Sequence, residues 1–179
     1  MTPKTVNPNK PKILLAEDNP VVSKGVANFL AKWGYNAILA DNGDAAWDAL
    51  EKDHSIRLAI VDWNLPGLSG IQICQRLRTR MGPYVYTIMF SARKSYEEKI
   101  IALDGGADEY LVKPCKPSEL RARLGVGRRI VETAMNNFSA TTSCPPPASK
   151  KETGTAEKTH PPESVDFTDS DKKDDTQKK

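Results

Sequence analysis

Short apolar runs alternate with amphipathic segments along the middle of the chain. Five runs are typical of strands because they are short, aliphatic or aromatic, and bounded by Gly, Pro, Asn, Asp or Ser. They span residues 12–17, 35–40, 58–61, 84–90 and 110–112. The segments between and after them carry apolar residues at helical spacing. This alternation predicts an α/β fold with a parallel sheet, in which five strands alternate with five helices and the helices between strands form the crossover connections.

Capping residues indicate where several of these helices begin and end. Asn19 followed by Pro20 predicts a helix start, and Gly34 predicts the end of that helix. Ser95 with Glu98 three residues later matches a capping box. The second helix is predicted over residues 44–52, and the residues expected to face inward are Ala45, Ala46, Ala49 and Leu50.

The last predicted helix, from about residue 117 toward 138, carries an apolar stripe. Its positions alternate between spacings of four and three: Leu120, Leu124, Gly127, Val131, Ala134 and Phe138. Because the stripe is short and includes glycine, we expect an ordinary amphipathic helix rather than a dimer zipper.

Polar side chains follow four of the five predicted strands. The first strand ends in Glu17 and Asp18, and Asp62 follows the third strand, Ser91 the fourth and Lys113 the fifth. Ligands of an open parallel sheet bind beyond the carboxyl ends of its strands. Each of these residues alone has an ordinary explanation as a helix cap, turn residue or surface charge. Their joint occurrence at one edge favours a binding site.

The residue types at this edge indicate its chemistry. Carboxylates held close together repel one another, and the usual outcome is a raised pKa or a bound cation. With oxygen ligands and no His or Cys pair nearby, the expected cation is Mg²⁺ before Mn²⁺ or Ca²⁺. Ser91 and Lys113 would then bind phosphoryl oxygens. Asp62 stands alone at its strand end, so it is the candidate nucleophile for an aspartyl phosphate.

Composition and charge set the remaining bounds. The chain has 179 residues and a net charge of +3, too small to indicate a nucleic-acid or membrane surface. Its three cysteines lack metal-site spacing and fit a reducing compartment, and no run is apolar enough for a membrane span or signal peptide. We therefore expect a cytoplasmic protein. Its expected parts are a disordered arm (1–10), the folded domain (11–126), a helical extension (127–138) and a disordered polar tail (139–179).

The motifs around the strand ends resemble those of the receiver domain of two-component response regulators. These motifs are LLAEDN, VDWNLPGLSG, MFSAR and EYLVKP, and the similarity extends over about residues 11–124. The resemblance implies a doubly wound, flavodoxin-like fold with a five-stranded parallel sheet in the order 2-1-3-4-5. It also implies a cis peptide bond before Pro114.

The same resemblance implies a metal site and a phosphoacceptor. Glu17, Asp18, Asp62 and the main-chain carbonyl of Asn64 would bind Mg²⁺, with Mn²⁺ as a substitute. Asp62 would accept a phosphoryl group from a phosphohistidine.

A switch is implied as well. Ser91 and Lys113 would bind the phosphoryl oxygens, and Ser91 and Tyr110 would move together. Their movement would change the face formed by the fourth helix, fifth strand and fifth helix. Asn64 and Arg93 occupy positions that tune hydrolysis in the family.

These expectations describe a stand-alone receiver that is controlled by phosphorylation and is not an enzyme, apart from promoting its own phosphorylation and dephosphorylation. Its expected partners are a sensor histidine kinase or a histidine phosphotransfer protein, and an output protein, without direct contact to nucleic acid or membrane. The expected state is a monomer or a phosphorylation-dependent dimer.

The alternatives are a receiver used as a phosphate sink or scaffold, an aspartyl-nucleophile phosphatase and a flavodoxin-like cofactor carrier. The first loop lacks the paired Asp spacing of such phosphatases and is acidic where a flavin phosphate needs open amides.

Overall fold

The computed structural model describes residues 10–141, which form a five-stranded sheet with helices on both faces. The elements in chain order are β1 (Lys12–Ala16), α1 (Pro20–Lys32), β2 (Asn36–Ala40), α2 (Gly43–Lys52), β3 (Leu58–Val61), α3 (Gly70–Thr79), β4 (Tyr86–Ser91), α4 (Tyr96–Asp104), β5 (Glu109–Val112) and α5 (Pro117–Thr141). The predicted alternation of strands and helices is confirmed, and each predicted strand boundary agrees within two residues.

The outer boundaries differ from the expected ones in one respect. Helix α5 continues to Thr141, so the first residues of the predicted tail, 139–141, are helical rather than disordered. The predictions for the rest of the arm and tail, residues 1–9 and 142–179, lie outside the described residues. Among the described helices, none is both long and apolar enough to cross a membrane.

The sheet is parallel throughout and has the expected order β2-β1-β3-β4-β5. Strand β3 lies at its centre, where Ile60 is paired with Leu15 of β1 and Ile88 of β4. All four residues of β3 are buried, because alternate side chains face α1 and α5 on one side and α2 and α3 on the other. A strand buried on both faces requires an uninterrupted apolar sequence.

The predicted caps of α1 are confirmed. The side-chain oxygen of Asn19 accepts hydrogen bonds from the amides of Val21 and Val22, and Pro20 occupies the first helical position. Gly34 follows the helix with a φ of 87°, a conformation that costs glycine little.

The inward face of α2 was predicted only in part. Ala46 and Leu50 are buried, as expected, and Gly43 is buried with them. Ala45 is exposed, which corrects its prediction as an inward residue. The buried positions are spaced by three and four residues, and this spacing turns Ala45 toward solvent.

The apolar stripe of α5 packs against the domain core for about its first four turns. Leu120, Leu124, Gly127 and Val131 are buried, whereas Ala134 is exposed. The last predicted position, Phe138, lies in the part of α5 after residue 136, where only the backbone is described. The stripe up to Val131 therefore belongs to the domain core.

Candidate functional site

Main-chain hydrogen bonds extend the parallel pairing one residue past the strand ends. The amide of Asp62 donates to the carbonyl of Ala16 over 2.9 Å. Between β4 and β5, farther along the strand order, the amide of Lys113 donates to the carbonyl of Ser91 over 2.7 Å. The backbone itself therefore brings the ends of β1 and β3, and of β4 and β5, to the same edge.

The loop after Asp62 folds back against the strand that it leaves. The amide of Asn64 donates to Oδ1 of Asp62 over 3.4 Å, and the amide of Gly70 donates to the carbonyl of Trp63 over 3.0 Å. A Cβ atom on residue 70 would lie 2.2 Å from the carbonyl oxygen of Asp62. Only glycine permits this approach, which places the start of α3 against the main chain of Asp62 and Trp63.

Three carboxylates meet at this edge, as their positions after β1 and β3 predict. Oxygen atoms of Glu17, Asp18 and Asp62 lie within 4.8 Å of one another. Glu17 is 3% exposed and Asp62 is 8% exposed, while Asp18 is open to solvent. An all-oxygen donor set of this charge fits a hard divalent cation such as Mg²⁺.

Lys113 binds two of the three carboxylates. Its Nζ lies 2.5 Å from Oε2 of Glu17 and 2.9 Å from Oδ2 of Asp62, and its side chain is 15% exposed. Burial raises the pKa of Glu17 above its ordinary value of 4.5, although the hydrogen bond and charge of Lys113 act in the opposite direction. The ammonium group therefore offsets part of the negative charge that these carboxylates bring together. The peptide bond from Lys113 to Pro114 is cis, as the resemblance implies.

Ser91 and Tyr110 converge on the loop that follows β4. The buried hydroxyl of Ser91 accepts a hydrogen bond from the amide of Arg93 over 3.2 Å. The buried ring of Tyr110 packs with α3 and α4, and its hydroxyl donates to the carbonyl of Arg93 over 3.0 Å. The amide and the carbonyl of Arg93 are thus each bound by one of the two side chains that the resemblance predicts to form a switch.

The side chain of Arg93 joins this loop to the loop after Asp62. Its guanidinium group lies 5.0 Å from the centroid of the Trp63 ring, and it donates to Oδ1 of Asn64 over 3.2 Å. It also forms a 2.6 Å ion pair with Glu98.

Only part of this arrangement was expected from the sequence. The amide of Glu98 is bound by the side chain of Ser95, as in the predicted capping box, but the carboxylate of Glu98 also binds Arg93. The contacts of Arg93 with Trp63 and Glu98 could not be predicted from the sequence pattern, because they depend on the paths of the loops after β3 and β4.

Comparisons with known proteins agree on one family. Residues 13–125 match the family model described as response regulator receiver domain. The chain is 42% identical over 114 residues to the response regulator RppA of Synechocystis sp., which covers 63% of this chain and 48% of RppA. It is 30% identical over 115 residues to a chemotaxis protein CheY homolog of Campylobacter jejuni, which covers 63% of this chain and 88% of that protein. The match thus spans about half of RppA and most of the CheY homolog.

Solved structures show the same similarity. The BeF3-activated N-terminal receiver domain of Klebsiella pneumoniae RstA has a TM-score of 0.60 and 28% identity, covering 65% of this chain and 97% of that chain. The receiver domain of the Francisella response regulator 1452 has a TM-score of 0.61 and 29% identity, covering 66% of this chain and 97% of that chain.

Proposed function

This chain belongs to the response regulator receiver domain family, and on that premise we propose that Asp62 accepts a phosphoryl group from a phosphohistidine of a partner protein. One observation carries the proposal. The carboxylate of Asp62 lies at the ligand-binding edge of the sheet, 2.9 Å from the ammonium group of Lys113 and beside the carboxylates of Glu17 and Asp18. A nucleophile, a cation and ligands for a metal ion are the groups that phosphoryl transfer requires.

In this proposal Glu17, Asp18, Asp62 and the main-chain carbonyl of Asn64 hold Mg²⁺. The exposed carboxylate of Asp18 offers the entry point for the ion, and the buried carboxylate of Glu17 forms the inner wall. Bound Mg²⁺ would offset the charge of the phosphoryl oxygens. Mn²⁺ has similar ligand preferences and is expected to substitute for it.

The transfer itself is a displacement at phosphorus. A carboxylate oxygen of Asp62 forms the new bond to phosphorus, and the bond between phosphorus and the imidazole nitrogen breaks. The electron pair of that bond stays on the imidazole nitrogen. This nitrogen takes up one proton from solvent, and the histidine leaves in its neutral form. Lys113 exchanges its ion pair with Asp62 for a phosphoryl oxygen, so its positive charge remains paired throughout.

The hydrogen bonds of the loop after β4 suggest how phosphorylation changes the surface. The hydroxyl of Ser91 accepts a hydrogen bond from Arg93 and still has its own proton to donate. When it donates to a phosphoryl oxygen, the loop moves with it, and the hydrogen bond from Tyr110 to the carbonyl of Arg93 must change. Tyr110 packs beside α4, so the face formed by α4, β5 and α5 is the surface expected to respond.

The proposed partners follow from the phosphoryl donor and from this surface. The donor is a sensor histidine kinase or a histidine phosphotransfer protein, and the output is a protein that binds the altered face. Exposed apolar side chains on α4, Tyr96, Ile100 and Ile101, provide contact area for it. Under this proposal the chain promotes only its own phosphorylation and dephosphorylation, so it is not an enzyme for an outside substrate.

Trp63 provides a direct test. Its ring contacts Arg93, so we expect its fluorescence to change when beryllofluoride, a phosphoryl mimic, is added with Mg²⁺. Asp62→Asn should abolish the change, and acetyl phosphate with Mg²⁺ should add one phosphoryl group to the wild type but not to this variant. Trp63→Phe should lose the signal and Trp47→Phe should keep it.

Two outcomes would contradict the proposal. One is a wild type that binds Mg²⁺ but shows no response to beryllofluoride and no acyl phosphate. The other is steady turnover of p-nitrophenyl phosphate, which would favour the phosphatase alternative.

A further inference from the structure

A groove runs between α1 and α5, on the face of the sheet opposite to α4. We call it the α1–α5 groove and define it by Phe29, Trp33, Arg121, Gly125 and Arg129, with Lys32 at its edge. The rings of Phe29 and Trp33 stack with their centroids 5.7 Å apart and form an aromatic wall. None of these residues takes part in the proposed phosphorylation site.

Three cations stand at the rim of this groove. Lys32 lies on α1, with its Nζ 5.8 Å from the centroid of the Phe29 ring, and Arg121 and Arg129 lie on α5. Among the described residues that line the groove, none is acidic. We refer to these three residues as the rim cations.

The rim cations differ from the other arginines of α5 in their partners. Arg123 forms a 2.9 Å ion pair with Glu109, and Arg128 forms a 3.2 Å ion pair with Glu132. Within residues 10–141, no carboxylate lies within ion-pair distance of a rim cation. Among the described arginines of α5, those at the groove therefore differ from Arg123 and Arg128 in having no carboxylate partner, and they lie beside the aromatic wall.

The groove also has room for a side chain. A Cβ atom placed on Gly125 would have the Nη1 atom of Arg129 as its nearest neighbour, at 3.8 Å. Aromatic walls provide large apolar contact at low conformational cost, and they are frequent binding hot spots.

We propose that the α1–α5 groove binds an acidic segment of a partner protein. Carboxylates of that segment would pair with the rim cations, and one of its apolar side chains would contact Phe29 and Trp33 above Gly125. Three cations are few beside the roughly six to ten phosphate contacts of a typical DNA-binding protein, and the aromatic wall is apolar, so a peptide fits better than nucleic acid. Because the groove lies away from Asp62 and from α4, this binding does not require phosphorylation.

The test uses the full chain and a defined probe. The probe is a short fluorescein-labelled peptide of Glu and Leu with one Phe, and its counterpart has Lys in place of Glu. We expect fluorescence anisotropy to show saturable binding of the acidic peptide only. Arg121→Glu should weaken it by about tenfold or more, the loss typical of a hot-spot contact. Lys99→Glu, a matched charge reversal on exposed α4, should leave it unchanged.

A second variant separates the groove from general charge. Gly125→Leu fills the groove without adding charge, and we expect it to weaken peptide binding by about tenfold as well. Ala134→Leu adds similar apolar surface at an exposed position of α5 outside the groove and should bind as the wild type does. Asp62→Asn should also bind normally, which distinguishes this proposal from the proposed function.

The proposal would be overturned by any of three results. These are unchanged affinity in Gly125→Leu with intact secondary structure, an equal loss in Lys99→Glu, and tighter binding of duplex DNA than of the acidic peptide at the same salt concentration. The last result would identify a nucleic-acid surface instead.

Discussion

The hydroxyl of Tyr110 donates a hydrogen bond to the main-chain oxygen of Arg93, with 3.0 Å between the two oxygens. The ring is buried among Met89 and Ala102, so its position is set by packing as well as by this bond. The amide of Arg93 in turn binds the hydroxyl of Ser91. Tyr110 of β5 thus holds the loop that follows Ser91, the predicted phosphoryl ligand at the end of β4.

Tyr110→Phe removes this hydrogen bond and keeps the ring. We expect the free energy of unfolding to fall by about 0.5–1.5 kcal/mol, the usual range for one hydrogen bond, and amide exchange in residues 92–95 to become faster. Urea unfolding and hydrogen-exchange mass spectrometry measure the two effects. Tyr96→Phe is the control, because Tyr96 is 72% exposed and should show neither effect. Unchanged exchange in Tyr110→Phe would mean that the loop is held by other contacts.

Much of the fold was predictable because its strongest signals are local. Strand β3 reads as an unbroken apolar run since both of its faces are covered, and Asn19 with Pro20 specifies a helix start by direct bonding. The convergence of Asp62 and Lys113 was predictable for a different reason. Carboxyl ends of parallel strands share one edge, so the topology brings together residues that are far apart in sequence.

Other features depend on three-dimensional detail that the pattern does not contain. Ala45 was expected inside because an alanine-rich helix has more than one apolar face, and only packing selects between them. The simultaneous contact of Lys113 with Glu17 and Asp62 depends on side-chain reach. The contacts of Arg93 depend on loop paths, for which sequence periodicity gives no rule.

Lys113→Ala should separate metal binding from the switch. Without the ammonium group, the buried carboxylates of Glu17 and Asp62 lose their cationic hydrogen-bond partner, so we expect the free energy of unfolding in metal-free buffer to be lower than in the wild type by about 1–3 kcal/mol. Mg²⁺ should bind to the variant at least as tightly as to the wild type, because the ammonium group of Lys113 no longer competes for the carboxylates of Glu17 and Asp62. Bound Mg²⁺ should also restore much of the lost stability. Thermal unfolding with and without Mg²⁺ tests this, with Lys99→Ala as the control. The beryllofluoride response of Trp63 should be largely lost, and a full response would remove Lys113 from the mechanism.

The ion pair between Lys12 and Asp53 predicts a dependence of stability on pH. The hydrogen bond from Lys12, 2.6 Å long, and those from Ser55 lower the pKa of Asp53 from 3.8 to about 2. Because this pKa is lower in the folded state, the ionised carboxylate stabilises the fold above about pH 4, and this stability is lost as the pH falls toward 2. Asp53 is 31% exposed, so solvent screening limits the contribution to about 1 kcal/mol.

The variant Asp53→Asn should therefore be less stable than the wild type by about 1 kcal/mol near pH 7, with the difference shrinking below about pH 4. Urea unfolding across this range measures it. Asp48→Asn, at the exposed pair with Lys52, is the control and should change stability much less. A difference that is constant with pH would mean that Asp53 acts through its turn and not through its charge.

Two glycines of α5 should respond to alanine in opposite directions. At Gly127 a Cβ atom would lie 2.3 Å from Cδ1 of Tyr86, whose ring is buried in the core, whereas at Gly125 the nearest atom is 3.8 Å away. Alanine favours a helix over glycine by about 1 kcal/mol, so Gly125→Ala should be stabilising by up to that amount. Gly127→Ala should lower the free energy of unfolding by about 1–3 kcal/mol, because overpacking exceeds the helical gain. Urea unfolding compares them, and Tyr86→Leu should remove most of the penalty at residue 127. If Gly127→Ala were as stabilising as Gly125→Ala, the close contact between α5 and Tyr86 would not exist in solution.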